Sequence, residues 1–96
     1  MNSKLKNPQN DFLFEAILAL RDIEECYAFF EDLCTVNELQ AMAQRLQVAK
    51  LLSESHSYHD IVEKTQASTA TISRVNRCLR YGADGYKRVL VRLLDK

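Results

Sequence analysis

The chain has 96 residues, 13 basic and 13 acidic side chains, and a formal net charge of zero. That length predicts one domain with a modest core, and a hydrophobic share of 47% excludes a disordered chain. Two Gly and one Pro are too few for the many turns of a β-sandwich or barrel, so the chain reads as all-α.

Residues 1–10 are polar, contain Pro8, and are expected to form a flexible arm ahead of one helical domain over 11–96. The arm lacks the apolar stretch of a secretory signal, and no apolar run reaches the ~20 residues of a membrane span. A cytoplasmic protein with no membrane partner is the expectation. Three cysteines do not form a disulfide framework at these spacings.

From Asp11 to Leu33 apolar residues recur at helical spacing, but Phe14, Leu18, Cys26 and Phe29 fall off the main stripe. A helix apolar nearly all round must be covered nearly all round. In so short a chain the economical cover is a second copy of it. Asp22-x-x-Glu25 has the pattern of a cap, so this stretch can be two helices. Thr35-Val36-Asn37-Glu38 is a capping box opening a helix whose stripe is Leu39, Met42, Ala43, Leu46, Ala49 and Leu52. Ser53 to Ser57 interrupts it. Ser57 then caps a short helix with Tyr58, Ile61, Val62 and Thr65 on its apolar face. Ser68 opens a longer one with Ile72, Val75 and Leu79 facing inward. Gly82 ends that helix, and Asp84 caps a last one with Tyr86, Val89, Leu90, Leu93 and Leu94 on one face.

Charge is not spread evenly over these elements. Residues 1–34 have 3 basic and 7 acidic groups, and residues 67–96 have 7 and 2. The C-terminal third is therefore net +5, which suits an anionic partner. Residues 57–81 have the form of a helix-turn-helix: a short capped helix, a tight turn and a longer capped helix. Away from its apolar face the second helix presents Thr69, Ala70, Thr71, Ser73, Arg74 and Arg77. Short hydroxyl and methyl groups admit a helix closely to base edges, and arginines at the margin reach phosphate or guanine. Ser57, His59 and Ser68, at helix starts, are placed to meet the DNA backbone.

The same residues resemble the bacterial Trp repressor family, and within it the YerC/YecD group. The similarity is carried by Asp32-Leu33-Cys34-Thr35-Val36-Asn37-Glu38-Leu39, by Ala43-Gln44-Arg45-Leu46, and by Ala67-Ser68-Thr69-Ala70-Thr71-Ile72-Ser73-Arg74-Val75-Asn76-Arg77-Cys78-Leu79. Tyr81-Gly82-x-Asp84-Gly85-Tyr86 is also similar. The resemblance implies a Trp repressor-like, intertwined homodimer that binds double-stranded DNA and regulates transcription, with Thr69, Ala70, Thr71 and Ser73 on the DNA-facing side. It also implies an effector pocket at Thr35, Arg45, Arg74, Val75 and Cys78. Arg45 and Arg74 match the arginines that sandwich tryptophan in the family. Val75 stands where the family has Gly, and Cys78 where it has Ser. A branched side chain takes room that a ligand ring needs, so tryptophan is disfavoured as corepressor, while another small-molecule corepressor stays open. Gln66 occupies a turn position commonly held by Gly. If that position needs positive φ, Gln is less stable there by about 1 kcal/mol or less.

Other functions fit less well. There is no phosphate-cradling Gly loop and no elbow around a nucleophilic Ser, so no enzyme is expected. His56, His59 and the scattered Cys26, Cys34 and Cys78 lack zinc-ligand spacing, and no metal is expected. The alternative from another class is a helical interaction adaptor whose helix-turn-helix is only structural.

Overall fold

The computed structural model describes residues 3–94, which hold six helices: α1 (Pro8–Leu18), α2 (Ile23–Leu33), α3 (Val36–Ser53), α4 (Tyr58–Thr65), α5 (Thr69–Tyr81) and α6 (Gly85–Leu94). The chain divides into two compact units, residues 1–36 and 37–96. No helix among the described residues is long and apolar enough to cross a membrane.

The first unit begins differently from the sequence expectation. The arm expected over 1–10 gives way to helix at Pro8. Asn7 is the N-cap, its side chain accepting from the Asn10 N–H at 2.7 Å. Pro8 follows at the first helical position, where a missing N–H costs nothing and a fixed φ favours the helix. The stretch 11–33 is two helices. Asp22 restarts it by accepting from the Glu25 N–H at 2.8 Å, and Glu25 accepts from the Arg21 N–H at 2.8 Å. Neither α1 nor α2 buries a residue fully. Phe12 and Leu18 are 75% and 84% exposed.

The second unit holds the core. Val48, Ala49 and Leu51 of α3, Ile61 of α4, Ala67 of the turn, Ile72 and Val75 of α5 and Leu90 of α6 are its buried residues. Leu52, Val62, Leu79 and Tyr86 pack around them. Full burial of each Ile, Val or Leu contributes about 1.5–3 kcal/mol, so these few side chains supply much of what holds the unit together. The α3 stripe corrects the expected one. Only its C-terminal turns reach the core, through Val48, Ala49, Leu51 and Leu52, whereas Met42 and Leu46 remain exposed. On α6 only Tyr86 and Leu90 pack inward; Val89, Leu93 and Leu94 stay exposed.

The connection after α3 is a tight reversal. Ser55 is left-handed (φ 66°), its N–H donates to Leu52 O at 3.0 Å, and the His56 N–H donates to Leu51 O at 3.1 Å. This pairing satisfies the last carbonyls of α3 and turns the chain into α4. Gly82 stops α5 in extended backbone, and its N–H donates to Cys78 O at 2.9 Å. The need for Gly there comes from close approach: a Cβ would lie 2.3 Å from the Cys78 oxygen.

Candidate nucleic-acid interface

The candidate interface is α4, the three-residue turn 66–68, and α5. Local hydrogen bonds fix each part. The Ser57 hydroxyl accepts from the Asp60 N–H at 3.1 Å and starts α4. At the far end Thr65 donates its hydroxyl to Ile61 O at 2.7 Å and accepts from the Ala67 N–H at 3.1 Å. Between these Gln66 takes the left-handed conformation (φ 63°) and donates its N–H to Val62 O at 2.9 Å. The positive φ considered for Gln66 is therefore present. Gln44 of α3 donates its amide to Thr65 O at 3.1 Å and ties the turn to the longest helix. Ala67 then dips into the core, and a larger side chain would find no room there.

Ser68 restarts the chain as the N-cap of α5. Its hydroxyl accepts from the Thr71 N–H at 3.1 Å and donates to the Thr71 hydroxyl at 3.1 Å. Thr71 is consequently only half-exposed, while Thr69, Ala70, Ser73, Arg74 and Arg77 are exposed along one helix. On its other side α5 sinks Ile72 and Val75 into the core beside Ile61. Packing on one side and short polar groups on the other leave a face free for a groove. No carboxylate among the described residues pairs with Arg74 or Arg77. Their charge is thus not neutralised within the chain.

All seven residues expected at or around the recognition helix lie on α5 or at its cap. Ser57 and His59 lie at the start of α4. The His59 Nε2 is 3.3 Å from the Glu63 carboxylate on the next turn, so a phosphate reaching His59 would compete with that carboxylate. His56 is half-buried between Glu54 at 3.9 Å and Asp60 at 4.0 Å. No group of three His, Cys, Asp or Glu side chains among the described residues could hold a metal ion.

The five effector candidates have unequal surroundings. Arg74 and Cys78 are exposed on α5, and Arg45 is half-buried on α3. Thr35 immediately precedes α3. Val75 is 1% exposed and belongs to the core. None of the five lines the groove of about 570 Å³ formed by Ser53, Leu79, Lys87, Leu90, Val91 and Leu94.

Sequence reasoning did not single out one cross-link of the unit. The Asn76 amide on α5 donates to the Tyr58 hydroxyl on α4 at 3.2 Å, and Arg80 Nε donates to Asn76 Oδ1 at 3.5 Å. The spacing places Tyr58 on an apolar face and says nothing of its hydroxyl. An aromatic ring carrying a hydroxyl, opposite an amide on a neighbouring helix, was the available signal.

Comparison with known proteins gives a consistent result. The family described as Trp repressor protein matches residues 8–94. YerC of Bacillus subtilis (strain 168), an uncharacterized protein, is 58% identical over 92 residues, 96% of this chain and 88% of its own. The crystal structure of a TrpR-like protein from Eubacterium eligens is 60% identical with a TM-score of 0.91, covering 96% of this chain and 95% of that one. A Trp repressor candidate from Staphylococcus aureus is 52% identical with a TM-score of 0.92, covering 97% and 93%.

Proposed function

The chain belongs to the Trp repressor family, and from that premise we propose that it is a homodimeric, sequence-specific DNA-binding regulator that represses transcription. The observation that carries this reading is the exposed, acid-free face of α5. Thr69, Ala70, Thr71 and Ser73 are short enough for the helix to lie deep in a major groove and touch base edges and thymine methyls. Arg74 and Arg77, unpaired within the described chain, meet phosphate or guanine beside them. Ser57, His59 and Ser68 set the register against the backbone. The Trp repressor is itself a type case of this docking, with half-sites about one helical turn, ~34–36 Å, apart, so that spacing is the family's and not a result of this chain.

The effector reading follows from Val75. A side chain already 1% exposed in the core leaves no cleft at its own position for an indole ring. Tryptophan is therefore not the corepressor in this proposal. DNA binding with another small-molecule corepressor, or with no ligand, is compatible with that burial.

The test uses a DNA duplex that the protein itself selects. Thr71→Ala should weaken binding to that duplex and relax preference at one position. Arg77→Ala should lower affinity across sequences and reduce the salt slope by roughly 0.9, the value for one phosphate contact. If both variants leave affinity and slope unchanged, α5 is not the reading element. If the protein binds no duplex at low salt, the adaptor reading replaces this one.

A further inference from the structure

The buried face of α3 ends on a polar side chain. Val48, Leu51 and Leu52 follow Gln44 at i+4, i+7 and i+8, so all four share one face of the helix. The three apolar residues pack in the core, while Gln40 and Ala41, one turn before Gln44, are exposed. Gln44 itself is half-buried, and its Nε2 donates to Thr65 O at 3.1 Å across 21 positions of chain. Thr65 is the last residue of α4, and carbonyls at a helix end have no partner from the helix itself. The Gln44 amide supplies one. From there a short series of bonds leads to α5. Thr65 Oγ1 accepts from the Ala67 N–H at 3.1 Å, the Ala67 side chain is 2% exposed, and Ser68 beside it caps α5. The turn 66–68 is all that separates Thr65 from Thr69, so a shift at Thr65 reaches the reading helix with little slack.

The core joins α3 to the same two helices through Val48, Ala49 and Leu51 on one side and Ile61, Ile72 and Val75 on the other. Apolar burial is non-directional, so it resists separation of the helices more than rotation between them. A hydrogen bond weakens steeply as its angle opens, so it resists rotation as well. We propose that Gln44 is a positioning residue for DNA binding: its amide holds the turn 66–68, and with it the start of α5, at the angle to α3 at which Thr69, Ala70 and Ser73 enter the groove. The proposal rests on the DNA-reading role of α5 and adds what sets its angle. Gln44 touches no nucleic acid in this role. Without its donor the α4–α5 pair populates other angles, and affinity falls with the fraction that stays competent. One neutral hydrogen bond shifts such an equilibrium by about two- to tenfold.

The experiment compares the full chain with Gln44→Met, which keeps the side-chain length and removes the donor, and with Gln44→Glu, whose carboxylate sets an acceptor against the Thr65 carbonyl. Gln47→Met makes the first change at an exposed glutamine of the same helix. Affinity for the selected duplex is measured at a temperature where circular dichroism shows every variant folded, so that lost stability alone does not move it. Amide hydrogen exchange is measured on the same proteins without DNA. Gln44→Met should weaken binding about two- to tenfold and speed exchange at the Gln66 and Ala67 N–H groups by a similar factor. Gln44→Glu should do both more strongly, and Gln47→Met neither. Exchange at Asp60 and Arg88, bonded at the far end of α4 and on α6, should not change. Should Gln44→Met unfold, Gln44→Asn keeps the amide on a side chain one methylene shorter and gives the same comparison.

Faster exchange at Gln66 and Ala67 with unchanged affinity makes the bond structural only, which overturns the positioning role but leaves α5 as the reading element. Weaker binding with unchanged exchange places Gln44 in contact with DNA and also overturns it. Variants that match the wild type in both measurements do the same. A wild type that binds no duplex overturns the DNA reading itself, and the positioning role with it, whatever the exchange rates show of the bond.

Discussion

The two glycines of this chain should respond oppositely to alanine. At Gly82 a Cβ would lie 2.3 Å from Cys78 O, 3.0 Å from Cys78 C and 3.1 Å from Cys78 Cα, all backbone atoms of the last turn of α5. Ordinary contact begins near 3.4 Å, so the chain must move by about an ångström. That displacement breaks the 2.9 Å bond from the Gly82 N–H to Cys78 O, worth about 1 kcal/mol net, and strains the link to α6. Alanine also lowers the entropy of the unfolded chain, which returns about 0.4–1 kcal/mol. The sum for Gly82→Ala is a loss of about 1–2 kcal/mol, because a clash with backbone exceeds the entropy gain. At Gly85 a Cβ meets nothing within 4 Å, and no Gly has positive φ. There only the entropy and helix-propensity gains remain, so Gly85→Ala should stabilise by about 0.4–1 kcal/mol. Thermal unfolding followed by circular dichroism, at one fixed protein concentration, should show a fall of roughly 5–15 °C for Gly82→Ala and a rise of roughly 2–8 °C for Gly85→Ala. Equal signs, or a neutral Gly82→Ala, would refute the close-approach argument for the end of α5.

Ser68→Ala removes the acceptor of the Thr71 N–H and should cost about 1 kcal/mol in urea unfolding, with a matching loss of DNA affinity because the first turn of α5 frays. Gln66→Gly relieves a left-handed non-Gly residue but adds unfolded-state entropy and loses the amide bond to Glu63 O; the expected net gain is at most about 1 kcal/mol, read from the same unfolding curves. Calorimetry of the wild type with tryptophan should give no binding heat, and a saturable heat would contradict the argument from Val75.

Caps and core positions of the second unit were legible in the sequence for a physical reason: they depend on local spacing. Ser57, Ser68 and Asp22 each stand one residue before a helix and accept from the third N–H beyond, as the sequence pattern requires. Ile61, Ile72 and Val75 follow the helical period and are buried. The helix begins inside the polar segment 1–10 because proline breaks helices in their interior but starts them at the first position. The α3 stripe failed differently. Periodicity identifies an apolar face but not how much of its length meets a partner, and Met42 and Leu46 keep that face exposed in the unit. Left-handed Ser55 and Asp84 carried no glycine to announce them. The Tyr58–Asn76 bond joins residues eighteen apart, a pairing that only the packed helices define. Within the candidate interface, the placement of Thr69 to Arg77 along α5 was legible because one helix carries them all. The relative placement of Thr35, Arg45 and Arg74 was not, because they lie on separate elements whose packing local spacing does not define.

The charge opening of the sequence also takes a clearer form. Neutrality is the sum of an acidic first unit, a middle segment of net −1 and a basic C-terminal third. Such a chain should hold bulk DNA weakly and depend on specific contacts for affinity. The most direct test is selection of bound duplexes from a random library by the wild-type protein. The account predicts enrichment of one two-fold symmetric sequence, with half-site centres about one helical turn apart and affinity well above that for unselected DNA. Recovery of no common sequence, or of one bound no more tightly than random duplex, would contradict it.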